Sequence, residues 1–321
     1  MKPCVTVETS ARLHLGFLDL NGGTGRKFGS IGLALDQPRT RLSIERADRL
    51  DVEGRERDRV ARHVATLCGK LGLSQNYHIV VNQAVPAHAG LGSGTQLALA
   101  VAAGVRTLES LPLEIESDSL LLERGARSGI GAALFSRGGL VVDGGHGRVK
   151  GLPPVVASLP FPEDWRIILV MDADTKGVHG DAEREAFVNL PLFSERGAEK
   201  ICHSVLMGAL PALAERDLIM FGDAISGIQR LLGDYFAPAQ GGARYTSAKV
   251  AAVMDRLERL GAKGVGQSSW GPTGFAFVEN EQEAKRLIEL VQENRPQENP
   301  VMLICKGINH GARIEAIQAP Q

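Results

Sequence analysis

Cysteine, aromatic residues and net charge are all scarce in this sequence of 321 residues. Its four cysteines are far apart and form no C-x-x-C pair, so neither a disulfide framework nor a zinc site is expected, and a cytoplasmic location is favoured. A formal net charge of −1 and an aromatic share of 5% argue against nucleic acid as a partner. No apolar run approaches the length of a membrane span, and the amino terminus lacks a secretory pattern, so no membrane association is expected.

Glycine, in contrast, is abundant and clustered. Many of the 38 glycines lie in the segments 22–32, 90–94, 125–147, 241–242 and 261–274. Clustered glycine is typical of tight loops that face a ligand, although hairpins and helix ends use glycine as well. With 44% hydrophobic and 23% charged residues, the composition is otherwise that of an ordinary globular protein.

Hydrophobic periodicity predicts an α+β protein in two parts. A proline-rich stretch at 151–165 separates them, which places the domains at 1–160 and 161–321. Apolar residues at helical spacing predict helices at 58–72, 196–214, 217–232 and 246–260. Alternating stretches predict strands, one of which begins after a turn at Gln37-Pro38.

The stretch PAHAGLGSGTQLALAVAAGV, from Pro86 to Val105, places glycines, a serine and a threonine directly before an apolar helix. Glycine lets backbone N–H groups approach a ligand, and a helix start leaves N–H groups unpaired at the positive end of its dipole. The pattern therefore predicts an anion site, usually for phosphate. The alternative is a plain glycine-rich turn in which Ser93 or Thr95 caps the helix. The loop is not a Walker A motif, because it has no lysine.

Four segments in order resemble the GHMP kinase superfamily and, among its branches, the β-ribofuranosylaminobenzene 5′-phosphate synthase family. They read SARLHLGFLDLNG, GLGSGTQ, RSGIGAALFSRGGLVVDGG and GVGQSSWGP. The phosphate loop of the superfamily reads roughly P-x-x-x-G-L-G-S-S-A, and this chain departs from it at 94–96. A second departure lies at 267–270, where kinases have glycines. Both departures resemble the synthase branch.

The resemblance implies a GHMP-kinase-like fold, with an amino-terminal domain like ribosomal protein S5 domain 2 and a ferredoxin-like carboxy-terminal domain. It implies a reaction that joins phosphoribosyl pyrophosphate to 4-aminobenzoate or 4-hydroxybenzoate and releases carbon dioxide and pyrophosphate. The product is then a C-riboside of methanopterin biosynthesis, and the enzyme a homodimer. The choice between the amino and the hydroxyl acceptor stays open.

The residues expected to bind the phosphates of the donor form one run: Gly90, Leu91, Gly92, Ser93, Gly94, Thr95 and Gln96. The pyrophosphate of phosphoribosyl pyrophosphate is the preferred ligand. ATP in a small-molecule kinase is the alternative, and a non-catalytic protein on the same scaffold is the third. Departure of pyrophosphate favours Mg²⁺, which uses one or two carboxylates and several waters. Asp19 and Asp172 are the predicted ligands and catalytic carboxylates, although Asp172 can also be a solvated strand end.

Arg26 is expected to bind the benzoate carboxylate or the 5-phosphate, since arginine pairs bidentately with both. His179 completes the catalytic set, in a polar loop that is either a mobile cover or a plain helix start. Trp270 is expected to stack on the substrate ring, and His14 to be an acid or base unless it is structural. The predicted substrate-binding residues are Arg12, His14, Arg127, Ser128, Gln267, Ser268, Ser269 and Trp270.

Overall fold

The chain forms two antiparallel-rich sheets with helices packed between and around them. The structure is a computed structural model that describes residues 3–175, 177, 180–293 and 300–317. The first elements are β1 (Cys4–Asp19), β2 (Phe28–Arg46), β3 (Asp51–Gly54), α1 (Arg57–Leu71), β4 (Tyr77–Gln83), α2 (Ser93–Leu108), α3 (Ile115–Leu121), α4 (Ile130–Arg137), β5 (Leu140–Asp143) and β6 (Val155–Leu159). The later elements are β7 (Arg166–Met171), α5 (Gly180–Asn189), α6 (Glu195–Ser204), α7 (Leu210–Glu215), α8 (Leu218–Phe236), α9 (Ala248–Arg259), β8 (Lys263–Gln267), β9 (Thr273–Val278), α10 (Glu281–Gln292), β10 (Val301–Cys305) and β11 (Arg313–Ile317).

The first sheet has the order β11-β1-β2-β4-β3, and β5 adds to it by pairing with β2 and then with β6. Helix α2 packs on β1 and β2 and is also covered by α1, α3 and α4. This central position explains why nearly every side chain from Gln96 to Val105 is buried, because a helix covered on all sides has no solvent-facing stripe. The packing fixes the start of α2 against β1.

The second sheet has the order β10-β7-β9-β8 with every neighbouring pair antiparallel. In chain order this is 4-1-3-2, with helices between its first and second and between its third and fourth strands, which is the ferredoxin-like arrangement. The predicted ferredoxin-like part and the α+β class are therefore confirmed. The predicted boundary at residue 160 falls between β6 in the first sheet and β7 in the second, while β11 returns to the first sheet.

Three local predictions differ from the structure. The turn predicted at Gln37-Pro38 is a bulge inside β2: Leu35 pairs with Ala11 and Thr40 with Thr9, so residues 36–39 of β2 lie opposite one residue of β1. The proline-rich stretch 151–165 contains a strand, β6, which pairs with β5. The helix predicted at 196–214 is interrupted by a π-helical turn, Val205–Ala209, next to a proline that cannot donate a helical hydrogen bond.

One hydrophobic core joins the two halves across β1. Leu13, Leu15 and Phe17 of β1 pack in the same cluster as Ile201 of α6 and Phe221 of α8. The halves therefore meet along the carboxyl-terminal part of β1, and a cleft opens where β1 passes the start of α2. Among the described helices, none combines the length and apolarity needed to cross a bilayer.

Candidate active site

A cleft of about 440 Å³ lies where the two halves meet. Its walls are β1, the loop before α2, the segment between α3 and α4, and the loop between β8 and β9. Most of the residues predicted from the glycine-rich motifs border this cleft. They are Arg12, His14, Gly90, Gly92, Ser93, Gly94, Thr95, Arg127, Ser128, Ser269 and Trp270.

The loop before α2 presents backbone N–H groups. Gly90 and Gly92 have φ angles of 77° and 75°, which glycine adopts without strain. The Arg12 N–H donates to the Leu91 carbonyl at 2.9 Å and ties the loop to β1. Gly92, not Ser93 or Thr95, is the residue that precedes the helix, and no side chain caps it, so the plain capping alternative is wrong. The first N–H groups of α2 are left for a ligand.

The loop before α2 and the loop between β8 and β9 interlock through their backbones. A Cβ on Gly90 would overlap the Ser268 carbonyl oxygen, and a Cβ on Gly271 would overlap the Ala89 carbonyl. The Ser268 hydroxyl accepts from the His14 N–H at 2.9 Å and donates to the Gly90 carbonyl at 2.8 Å. Ser268, which is fully buried, thus joins β1, the loop before α2 and the second half.

We expect Ser268→Ala to raise KM for the anionic substrate roughly tenfold, since two hydrogen bonds of about 1 kcal/mol each are lost and the loop shifts. Steady-state kinetics measure this. The matched control is Ser30→Ala, which removes a fully buried hydroxyl that has no hydrogen-bond partner among the described residues. Equal effects of the two substitutions on KM would contradict a positioning role for Ser268.

Arg12 supplies positive charge next to Gly92. Its Nε and Nη1 atoms are buried without a hydrogen-bond partner in the described part of the chain. Burial lowers the pKa of Arg12 to about 10, although the charges of Glu183 and Asp143 oppose this shift. A pKa of about 10 leaves the guanidinium charged at neutral pH, so Arg12 is a desolvated cation that can bind an anion strongly.

Three further arginines line the cleft: Arg59, Arg124 and Arg127. Arg127 forms an ion pair with Glu183 and lies over the Phe187 ring, 5.3 Å from its centroid. The Asp143 carboxylate, which is fully buried, accepts hydrogen bonds from the Ser128 hydroxyl at 3.2 Å and the Gly129 N–H at 2.9 Å. Burial raises the pKa of Asp143, against the effect of these bonds.

One end of the cleft is aromatic. Phe17 and Trp270 line it, and Phe187 packs behind both, with centroid distances of 6.1 and 5.4 Å; these three residues are the aromatic wall. Trp270 is 3% exposed and also packs on Phe236, 4.3 Å away. Phe17 is likewise only 5% exposed, so the wall is a packed apolar surface that presents small parts of these rings to the cleft.

His14 lies beside this wall, with its ring 4.6 Å from that of Phe17. It is 3% exposed, and its Nε2 has no hydrogen-bond partner among the described residues. Burial, reinforced by the charge of Arg12, holds the pKa of His14 well below its ordinary value. The imidazole is therefore neutral at physiological pH.

Several predicted residues lie outside the cleft. Leu91 is part of the core. The Gln96 side chain donates to the Gly131 carbonyl at 2.9 Å and accepts from Thr9. The Gln267 side chain donates to the Gln240 side chain at 2.8 Å and accepts from the Thr246 N–H at 2.7 Å.

Arg26 and the two predicted magnesium ligands also lie outside the cleft. Arg26 donates to the Gly144 and Gly145 carbonyls, both at 2.7 Å. Asp19 accepts from the N–H groups at 21 and 22 in the turn after β1. Their catalytic roles stay predictions. His179 lies outside the described residues.

Asp172 is held by hydroxyl groups after β7. Its Oδ2 accepts from Ser247 at 2.6 Å and from Thr175 at 2.8 Å. Burial raises the pKa of Asp172, but these hydrogen bonds outweigh it and hold the pKa below the usual value.

Among the residues whose side chains are described, the carboxylates that line the cleft are Glu123 and Glu183. Glu183 is paired with Arg127, and a cation that arrives with a diphosphate would meet these two carboxylates at the cleft. Such a cation needs few protein ligands, because Mg²⁺ keeps several waters. Within the described ranges, a cluster of metal-ligating side chains is found away from the cleft, on β3 and β4: Asp51, Glu53 and His78.

Two domain families match the chain. The family described as GHMP kinases N terminal domain matches residues 58–139, and the family described as GHMP kinases C terminal matches residues 209–297. The crystal structure of homoserine kinase from Cytophaga hutchinsonii has the same fold, with a TM-score of 0.69 over 98% of each chain at 17% identity.

Two archaeal proteins named β-ribofuranosylphenol 5′-phosphate synthase are similar along most of the sequence. The one from Methanothermobacter thermautotrophicus is 32% identical over 295 residues, which cover 85% of this chain and 88% of the relative. The one from Archaeoglobus fulgidus is 34% identical over 293 residues, with the same coverage.

Proposed function

Because this chain belongs to the β-ribofuranosylphenol 5′-phosphate synthase family, we propose that it joins phosphoribosyl pyrophosphate to 4-hydroxybenzoate with release of carbon dioxide and pyrophosphate. The name of the relatives describes a phenol product, which favours the hydroxyl acceptor over 4-aminobenzoate. The observation that carries the proposal is the cleft itself, in which an open helix start and arginines adjoin an aromatic wall.

The reaction exchanges bonds at ribose C1. The bond from C1 to the diphosphate oxygen breaks, and a bond forms from C1 to the ring carbon that bears the carboxylate. The para hydroxyl group supplies electron density through the ring. Loss of carbon dioxide then returns the electron pair of the broken carbon–carbon bond and restores aromaticity. Negative charge grows on the leaving diphosphate, and this is the charge that a catalyst has to stabilise.

The residues of the cleft suit these demands. The glycine loop at 90–92 and the Arg12 cation would bind the diphosphate and stabilise its growing charge, and the start of α2 adds to the positive potential of the cleft. The acceptor ring would lie against the aromatic wall, with its carboxylate directed to Arg127, which already lies over Phe187. Since the imidazole of His14 is neutral, it can exchange a hydrogen bond with the acceptor without repelling the developing positive charge at C1.

Magnesium is part of this proposal. Mg²⁺ would reach the site bound to the diphosphate and keep several of its waters, so few protein carboxylates are needed to hold it. When bound, it would neutralise charge on the leaving group. We further propose that the enzyme acts in the cytoplasm as a homodimer, in methanopterin biosynthesis.

The proposal is tested by incubating the protein with carboxyl-labelled 4-hydroxybenzoate, phosphoribosyl pyrophosphate and Mg²⁺, without ATP. We expect labelled carbon dioxide only when both substrates are present, and slower release from 4-aminobenzoate. Release that requires ATP, or transfer of the γ-phosphate of ATP to an alcohol without carbon dioxide release, would replace the synthase with a small-molecule kinase.

A further inference from the structure

Two guanidinium groups converge on the first turn of α2 from elements that are far apart in the sequence. Nη2 of Arg59, on α1, and Nη1 of Arg124, after α3, each lie 3.1 Å from the position that a Cβ on Gly94 would occupy. The two nitrogens are therefore within about 6 Å of each other. Only a residue without a side chain leaves this point open.

The two arginines are held in place, yet their charges are not fully compensated. Arg59 donates through Nη1 to Glu56 at 2.7 Å, which leaves Nη2 directed at Gly94. Arg124 has a buried Nε without a hydrogen-bond partner among the residues described. Burial lowers the pKa of Arg124, and the charge of Arg59 lowers it further, against the effect of Glu123.

A buried histidine near the pair adds no positive charge of its own. His63 of α1 is 7% exposed, and burial together with the charges of Arg124, Arg59 and Arg62 lowers its pKa to about 4. It is therefore neutral at physiological pH. Two like charges this close repel each other, and an anion between them removes the repulsion and gains charge-assisted hydrogen bonds.

The pair and the aromatic wall lie at opposite ends of the segment 90–94. The wall is next to Gly90, because Trp270 and Gly271 belong to the loop that interlocks with Gly90. The pair is next to Gly94, four residues further along the chain and in the first turn of α2. The diphosphate that leaves and the ring that attacks both meet at C1, so the diphosphate is bound nearer to the aromatic wall than the 5-phosphate is, and the loop at 90–92 and Arg12 suit it. The Arg59–Arg124 pair suits an anion on the far side of the ribose.

We propose that Arg59 and Arg124 bind the 5-phosphate of the phosphoribosyl donor, an inference that rests on the proposed function. The donor is then held at both ends, with its ribose between the two anion sites and C1 facing the aromatic wall. Binding energy at the non-reacting 5-phosphate would position C1 for attack. Two separated anion sites would also favour phosphoribosyl pyrophosphate over a nucleotide, because the phosphates of a nucleotide all lie on one side of its sugar.

The test measures binding of D-ribose 5-phosphate and of inorganic pyrophosphate separately, by calorimetry, with Arg59→Gln, Arg124→Gln and the control Arg62→Gln. Arg62 lies on the same helix as Arg59 and is exposed, so the control removes the same charge. We expect the two pair variants to weaken D-ribose 5-phosphate binding at least about tenfold and pyrophosphate binding less than about threefold. Arg62→Gln should change neither. Thermal unfolding of each variant checks that it is folded.

Each other outcome is decisive. If the pair variants weaken pyrophosphate binding but not D-ribose 5-phosphate binding, the pair binds the diphosphate and the proposal is wrong. The proposal is also wrong if the binding of both ligands is unchanged, or if Arg62→Gln has effects equal to those of the pair variants. The carbon dioxide assay on the wild-type protein separates this inference from the proposed function. If the wild-type protein releases carbon dioxide and the pair variants still bind D-ribose 5-phosphate normally, only this inference is wrong. If the wild-type protein releases no carbon dioxide but binds D-ribose 5-phosphate through the pair, only the proposed synthase activity is wrong.

Discussion

Replacing Gly90 with alanine is expected to lower kcat/KM at least about 100-fold, because a displacement of about 1 Å in a positioning element can have an effect of this size. The new Cβ would overlap the Ser268 carbonyl oxygen and lie 3.0 Å from the Gly271 Cα. Both neighbours are backbone atoms, so a loop has to move. The φ angle of 77° adds strain for any residue with a Cβ.

The control for this prediction separates strain from overlap. Gly241 has a similar φ of 73°, and nothing lies within 4 Å of a Cβ placed there, so Gly241→Ala should cost only the intrinsic strain of about 1–2 kcal/mol. Activity is measured at a temperature where both variants are folded by circular dichroism. Equal activities of the two variants would show that the interlocked loops do not position the site.

Replacing Arg12 with glutamine is expected to lower kcat/KM by about 100- to 1000-fold, the range found when one preorganised donor to a developing anion is removed. Arg12→Lys keeps the charge but loses the planar fork, and we expect it to recover only part of the activity. The control is Arg39→Gln, which removes a partly exposed arginine paired with Glu8 outside the cleft. Loss of similar size in this control would contradict a specific role for Arg12.

Stability and pH distinguish a functional from a structural role for Arg12. Its folded-state pKa of about 10 lies below the ordinary 12.5, so protonation favours the unfolded state at pH values below 10. Removing the charge should therefore maintain or raise the thermal midpoint at pH 7. Anion binding should weaken as the pH rises through 10, where Arg12 loses its proton.

The motifs predicted the general location of the site because the sequence around a glycine-rich loop is enough to recognise it. The loop at 90–94 precedes a helix, and the loop at 268–271 lies between two strands, and a ligand-facing function is readable from each separately. The ferredoxin-like order of the second sheet followed only from the family resemblance. Periodicity predicted its helices but could not give strand order.

The residues that sequence reasoning misplaced share a physical reason. Gln96 lies in the first turn of α2, where its side chain faces β1 and α4 rather than the cleft. It was predicted to bind the ligand because it belongs to the run that departs from the kinase loop pattern. Arg59 and Arg124 were missed because surface arginines on helices are common, and only tertiary packing brings α1 and the segment after α3 to Gly94. Arg124 is three residues before Arg127, which the sequence did single out.

The most direct test of the account is to identify the bond that the enzyme forms. The protein is incubated with Mg²⁺, phosphoribosyl pyrophosphate labelled with ¹³C at C1 and 4-hydroxybenzoate labelled with ¹³C at the ring carbon that bears the carboxylate, without ATP. The product is examined by NMR. The account predicts a one-bond coupling between the two labelled carbons in a product that has lost its carboxylate. A product that retains the carboxylate, or a ribose joined through oxygen, would contradict it.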